Sequence, residues 1–230
     1  MNMVSFLDEV IDELCSQEVK LAECIYILPS KRAGTFLKKI ISKKLGKTIL
    51  SPDVYSIEEF VEKIADLSYA TQTQQLFELY KAYLESGTYE KESFESFLNW
   101  GQTLLQDINE IDRYLIDTSS LFSGLAAIQE VNHWSLRENQ TSLMKNYLRF
   151  WNQLDDIYHT FNANLISQHI GHQGLVYRKA SEVVIQYENQ EKRPHIFLGF
   201  NALNAAESKI IQILLGNQQS KIFGTWTPTF

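Results

Sequence analysis

The sequence predicts an α/β fold: a parallel sheet flanked by helices, split along the chain by a large all-helical insertion and helix-rich overall. Three observations carry this expectation. Cys24-Ile-Tyr-Ile-Leu28 is an unbroken apolar run that stops at Pro29, the pattern of a strand buried on both faces of a parallel sheet. The same signature returns only at His195-Ile-Phe-Leu-Gly-Phe200, where a helix start follows it. Between Ser56 and about Lys192 the apolar residues recur with the 3.6-residue period of helices, and no convincing strand interrupts them.

Taken in order, Phe6, Val10, Ile11 and Leu14 form the stripe of a first amphipathic helix. Phe36, Leu37, Ile40, Ile41 and Leu45 form that of a second, on the far side of the first strand. A second short strand is expected over Thr48–Leu50. Ser56-Ile-Glu-Glu59 is a capping box: the serine side chain accepts from the amide three residues on, and the glutamate reaches back to the serine amide. Phe60, Val61, Ile64 and Leu67 make the apolar face of the helix it opens. Further helix starts fall at Thr71-Gln-Thr-Gln74, Ser93 and Thr141. The longest helix should cover roughly 141–167, where the apolar rhythm runs from Leu143 and Met144 to Leu165 and Ile166. Asn204-Ala-Ala-Glu207 opens a helix through Leu215, and a last strand is expected near Lys221 to Thr225. Residues 1–55 and 193–230 are thereby assigned to one discontinuous α/β domain, and 56–192 to the inserted helical subdomain.

Composition narrows the function classes. The chain has 230 residues, with 28 acidic and 21 basic side chains and a net charge of -7, which argues against a dedicated duplex binder while leaving room for a local basic site. Ten glycines and four prolines beside 12% aromatic residues suit an ordered, helix-rich chain rather than disorder. Cys15 and Cys24 are too few for a disulfide framework or a four-cysteine zinc site, so a reducing cytoplasm is the expected location. The first fourteen residues carry Asp8, Glu9, Asp12 and Glu13 and do not read as a signal peptide, and no apolar run approaches membrane-spanning length.

Most chemical motifs fall to blander readings. Gly46-Lys47-Thr48 ends like a Walker A loop, but Ile41 stands where the earlier glycine is needed, and the segment runs from helix to strand instead of strand to helix. Gly46 is expected as a helix C-cap. His169 and His172 flank Gly171 without nearby carboxylates or cysteines to complete a metal shell. Asp107, Glu110 and Asp112 lack a calcium-loop spacing and read as a solvated acidic face. Glu207-Ser-Lys209 has a nuclease-like spacing but falls in a helix, and the sequon Asn139-Gln-Thr141 has no meaning in a cytoplasmic protein. No catalytic, metal or cofactor residues are assigned.

One charge feature stands out. Residues 31–47 contain Lys31, Arg32, Lys38, Lys39, Lys43, Lys44 and Lys47 and no acid, leaving only 14 basic residues against 28 acidic ones elsewhere. A solvated lysine-rich face is the common meaning of such a run. Its placement points further: Ser30, Lys31 and Arg32 directly follow a buried strand, at the carboxyl edge of a parallel sheet and the start of a helix. There, free amides and the helix dipole favour anions such as the phosphates of a nucleic-acid backbone. Ser30, Lys31, Arg32, Lys38 and Lys39 are therefore the candidate DNA-binding residues.

Several segments together resemble the AddB-type subunit of bacterial helicase-nucleases, in the form found in Bacteroidetes-like proteins with a PD-(D/E)XK nuclease domain. They are Ile27-Leu-Pro-Ser-Lys-Arg-Ala-Gly34, Ser51-Pro-Asp-Val-Tyr-Ser-Ile-Glu-Glu-Phe60, Trp100-Gly-Gln-Thr-Leu-Leu-Gln-Asp107 with Ile111-Asp-Arg-Tyr-Leu115, Gly174-Leu-Val-Tyr-Arg178, and Phe197-Leu-Gly-Phe-Asn-Ala-Leu-Asn204. The resemblance implies the N-terminal part of a longer chain, with a P-loop-like, superfamily 1 helicase-like domain here and the nuclease domain after Phe230. It also implies work in double-strand break resection and recombinational repair. The partners would be single-stranded or strand-separated DNA and an AddA-type motor subunit. In such helicases the strand-to-helix turn called motif Ia contacts DNA, and Pro29–Arg32 occupy the similar place. Walker A and B residues are missing, so no ATP hydrolysis and no cofactor are expected of this segment. The alternative is a protein-interaction scaffold whose basic helix docks on an acidic partner and never meets DNA.

Overall fold

The computed structural model describes residues 5–46, 51–86, 92–124 and 142–224, with the backbone alone from 142 to 152. In chain order the principal elements are α1 (Phe6–Ser16), β1 (Ile25–Leu28), α2 (Lys31–Leu45), β2 (Asp53–Ser56), α3 (Ile57–Ala65), β3 (Ser68–Tyr69), α4 (Gln72–Glu85) and α5 (Phe94–Arg113). They continue with α6 (Ser142–Ser167), β4 (Ile170–Gly171), α7 (Gln173–Gln190), β5 (His195–Phe200), α8 (Ala205–Leu215) and β6 (Lys221–Gly224). The fold is thus a helix-rich α/β arrangement around a small parallel sheet. No helix among the described residues is long and apolar enough to cross a membrane.

The chain divides into two compact units, Met1–Asp66 with Lys179–Phe230, and Leu67–Arg178. In the first, four parallel strands lie in the order β2-β1-β5-β6. Ile25 pairs with both Asp53 and His195, so β1 is interior, and all four of its side chains are buried. One face of the sheet carries Tyr26, Leu28, Ile196 and Leu198 against Val10, Ile11 and Leu14 of α1 and Leu37 and Ile41 of α2. The period-two alternation turns His195 and Phe197 to the other face. Phe60 of α3 meets both there, at 5.7 and 6.4 Å between ring centroids, and Tyr187 of α7 at 5.7 Å. Burial pushes the His195 imidazole down to about 4, so this ring is an uncharged core side chain at neutral pH.

Two departures from the sequence reading have physical causes. Thr48–Leu50 lie outside the described residues, and the strand that pairs with β1 is Asp53–Ser56. It is an edge strand, only partly buried, so it lacks the continuous apolar run that betrays β1. The α/β unit also extends past residue 55 and takes up chain again before 193. Ser56 is both the last residue of β2 and the N-cap of α3, which ties that helix to the sheet, and the Tyr187 hydroxyl lies 3.1 Å from His195 Nε2. The Ser56 capping box is complete: its hydroxyl accepts from the Glu59 amide at 3.3 Å, and Glu59 Oε2 accepts from the Ser56 amide at 3.0 Å. Ser56→Ala should lower the stability of the sheet unit by about 1 kcal/mol in a denaturant titration.

The second unit is built on α4, α5 and α6. Phe97, fully buried, lies 4.7 Å from Trp100 and 5.6 Å from Tyr83 between ring centroids, and Leu79, Ile157, Phe161 and Leu165 close the core around this aromatic cluster. The unit is not wholly helical. β3 and β4 pair in parallel, Ser68 with Ile170 and Tyr69 with Gly171. Two residues are too few to show an alternating pattern, which is why no strand is expected there from sequence.

Candidate nucleic-acid interface

β1 delivers the chain to Pro29 and Ser30 at the carboxyl edge of the sheet. Ser30 is extended and caps α2, its hydroxyl accepting from the Ala33 amide at 3.3 Å. α2 returns the chain toward β2 on one side of β1, whereas α8 carries it from β5 to β6 on the other. The carboxyl ends of β1 and β5 therefore flank the point where the winding reverses, the place where open α/β sheets take ligands. Asn204 caps α8 beyond β5, its Oδ1 accepting from the Glu207 amide at 2.9 Å. Gly199 takes φ +76° at the irregularity where β5 and β6 shift register.

The sheet-unit helices differ in how they treat their positive ends. α1, α3 and α8 each place acids in the first turn, Asp8 and Glu9, Glu58 and Glu59, and Glu207. α2 has none and begins instead with Lys31 and Arg32. Cations at a helix N-terminus oppose its dipole, so this end concentrates positive potential that an anion would relieve. Part of that potential is met within the fold. Lys31 Nζ lies 2.8 Å from Glu59 Oε1, and this contact raises the Lys31 pKa and holds the Glu59 carboxyl below its usual range. Lys44 is ion-paired with Asp12.

Arg32, Lys38, Lys39 and Lys43 are exposed and make no hydrogen bond or ion pair among the described residues. Gly46 takes the left-handed conformation, φ +59°, and its amide donates to Ser42 O at 3.3 Å, ending the helix as a C-cap. Lys47 and Thr48 lie outside the described residues. Of the five candidate residues, then, Ser30 is a helix cap, Lys31 is ion-paired, and Arg32, Lys38 and Lys39 are exposed cations without a partner among the described residues.

A second concentration of polar groups lies inside the helical unit and was not legible in sequence. Asp112, expected on a solvated acidic face, is fully buried. Arg178 Nε donates to its Oδ1 at 2.6 Å, the Tyr158 hydroxyl donates to the same oxygen, and His172 Nε2 lies 3.2 Å from Oδ2. Asp107 stays exposed and Glu110 pairs with Arg113 at 2.9 Å, so the three acids of that segment have three different fates. His169 is exposed with φ +55°, while His172 is buried.

Two helix ends meet at this network. The Leu175 amide donates to His172 Nδ1 at 3.2 Å and the Gly174 amide to Asn109 Oδ1 at 2.7 Å, which satisfies the first turn of α7. Arg178 Nη2 donates to Ile111 O at 3.0 Å and Ile116 O at 2.9 Å, closing the end of α5. Because His172 Nδ1 accepts, the ring hydrogen is assigned to Nε2, facing Asp112 and Asn162 Oδ1 at 3.1 Å. Both ring nitrogens are occupied inside the core, leaving none to serve a substrate, so this His–Asp pair is structural. Among the described residues no group of three or more histidine, cysteine or acidic side chains is placed to hold a metal ion. Asn139-Gln-Thr141 lie outside the described residues, and Glu207 serves as the capping glutamate of α8. No protein-family model matches the chain, and no curated protein matches it either.

Proposed function

We propose that this chain acts as a catalytically silent, P-loop-like helicase domain that holds the DNA backbone beside a motor subunit, within a helicase-nuclease complex resecting double-strand breaks. One observation carries the DNA-binding part: α2 leaves the carboxyl edge of a parallel sheet with six cations and no acid, and four of those cations are exposed and unpaired among the described residues. Lysines and arginine so placed hold phosphates without reading bases, giving weak binding that falls as salt rises. The repair setting, the AddA-type motor and a nuclease domain elsewhere in the protein rest on the sequence resemblance.

The test is binding of single-stranded DNA across a salt series, for the wild type, Lys31→Glu/Arg32→Glu and Lys38→Glu/Lys39→Glu. Both variants should bind more weakly, with the log–log salt slope shallower by about 0.7 for each phosphate that the variant no longer holds. Equal affinity in all three proteins sinks the DNA role of this helix. The ion pairs Lys31–Glu59 and Lys44–Asp12 favour a second reading, since they show cations of α2 already meeting carboxylates. In that reading the helix docks on an acidic protein partner, and co-purification with a motor subunit without DNA binding would support it.

A further inference from the structure

The exposed face of α2 carries more than charge. Arg32, Phe36, Lys39 and Lys43 are spaced four, three and four residues apart, which places them in one stripe along the helix. Gly34, Leu37 and Ile41 occupy the opposite side and are buried. Phe36 is 54% exposed and makes no ring contact among the described residues. A single exposed phenylalanine needs no explanation by itself. Here the ring stands between cations one turn before and one turn after it, on a helix without acids, where an apolar protein partner would have to desolvate three charges to reach it.

We propose that this stripe is a platform for a single-stranded polynucleotide, with Phe36 stacking on one unpaired base while Arg32, Lys39 and Lys43 hold the phosphates that flank it. The proposal rests on the nucleic-acid reading of α2 and adds to it a base-stacking residue, Phe36, as the physical reason for a single-strand preference. A duplex offers the same phosphates but keeps its base faces stacked within the helix, so only the single strand engages ring and cations together. The chemistry does not call on a 2′-hydroxyl, so deoxyribose and ribose strands both qualify.

The test compares labelled oligo-thymidine, oligo-uridine and a duplex of equal length by fluorescence anisotropy, with the whole chain as wild type, Phe36→Ala, Phe36→Trp and Lys39→Glu/Lys43→Glu. Phe36→Ala should weaken binding of either single strand about tenfold while leaving the salt slope and duplex binding unchanged. Phe36→Trp should retain affinity, with its fluorescence quenched as a strand is added. The charge variant should lose single strand and duplex alike. If Phe36→Ala binds single strands as the wild type does while the charge variant binds weakly, stacking is overturned and backbone binding stands. If no variant changes either affinity, or polyglutamate competes as well as DNA does, both the stacking proposal and the nucleic-acid reading of this face are overturned.

Discussion

Asp112→Ala is expected to cost the helical unit about 3–5 kcal/mol, enough to bring a marginally stable unit near unfolding at ambient temperature. The cost arises from what is left behind. Arg178, Tyr158 and His172 all direct hydrogen-bonding groups at one carboxylate that is fully buried, and its removal strands a guanidinium that also closes the end of α5. Asp112→Asn, which keeps the shape, should cost less but abolish a specific pH dependence. Burial alone would raise the Asp112 pKa. The hydrogen bonds from His172 and Tyr158 and the charge of Arg178 outweigh it, and the carboxyl is held below its ordinary value. A folded pKa below the unfolded one gives stability that is fully present above the ordinary carboxylate range and is lost as pH falls through the lowered value. The wild type should therefore lose stability on acidification below that range more steeply than Asp112→Asn, as read by thermal melts at successive pH values.

Gly174→Ala should be nearly as damaging for a different reason. A methyl group there would sit 2.2 Å from Asn109 O and 2.9 Å from Asp112 Cβ, and the first of these is backbone that cannot swing aside. The first turn of α7 lies directly against α5, as it must for the Gly174 amide to reach Asn109 Oδ1. Accommodating the methyl means separating the helices and stretching the Asp112–Arg178 ion pair, so the cost should reach or exceed the upper end of the roughly 1–3 kcal/mol typical of overpacked cores. Urea titration of Gly174→Ala checks this. A variant as stable as wild type would mean that the two helices are not held this close.

What could be read in advance was local. The buried strands β1 and β5, the capping boxes at Ser56, Thr71 and Asn204 and the long helix α6 each declare themselves within a few turns of chain, and the structure forms all of them. Ser30 as the cap of a basic helix was visible for the same reason: strand, turn and helix are contiguous. Asp112 illustrates the opposite case. Among neighbouring acids it resembles a solvated face, and only the fold brings Arg178 and His172 to it from distant parts of the sequence. Likewise, that Lys31 and Lys44 are partnered while Arg32, Lys38 and Lys39 are not, among the described residues, depends on where α1 and α3 set Asp12 and Glu59. Spacing along α2 cannot tell those cations apart.

The strand order has a consequence for how the chain comes to be folded. β1 gains its inner neighbour only when Ile25 meets His195, after the whole helical unit has been made. Closing so long a loop carries an entropic cost before the pairing returns anything, whereas α4 and α5 are sequence neighbours and can associate as they emerge. During synthesis, Ile25-Tyr-Ile-Leu28 must therefore wait with one edge of its backbone open, and such a segment is a template for pairing between chains. The basic helix that follows it gives this interval a repulsive charge next to a strand whose four side chains are all apolar.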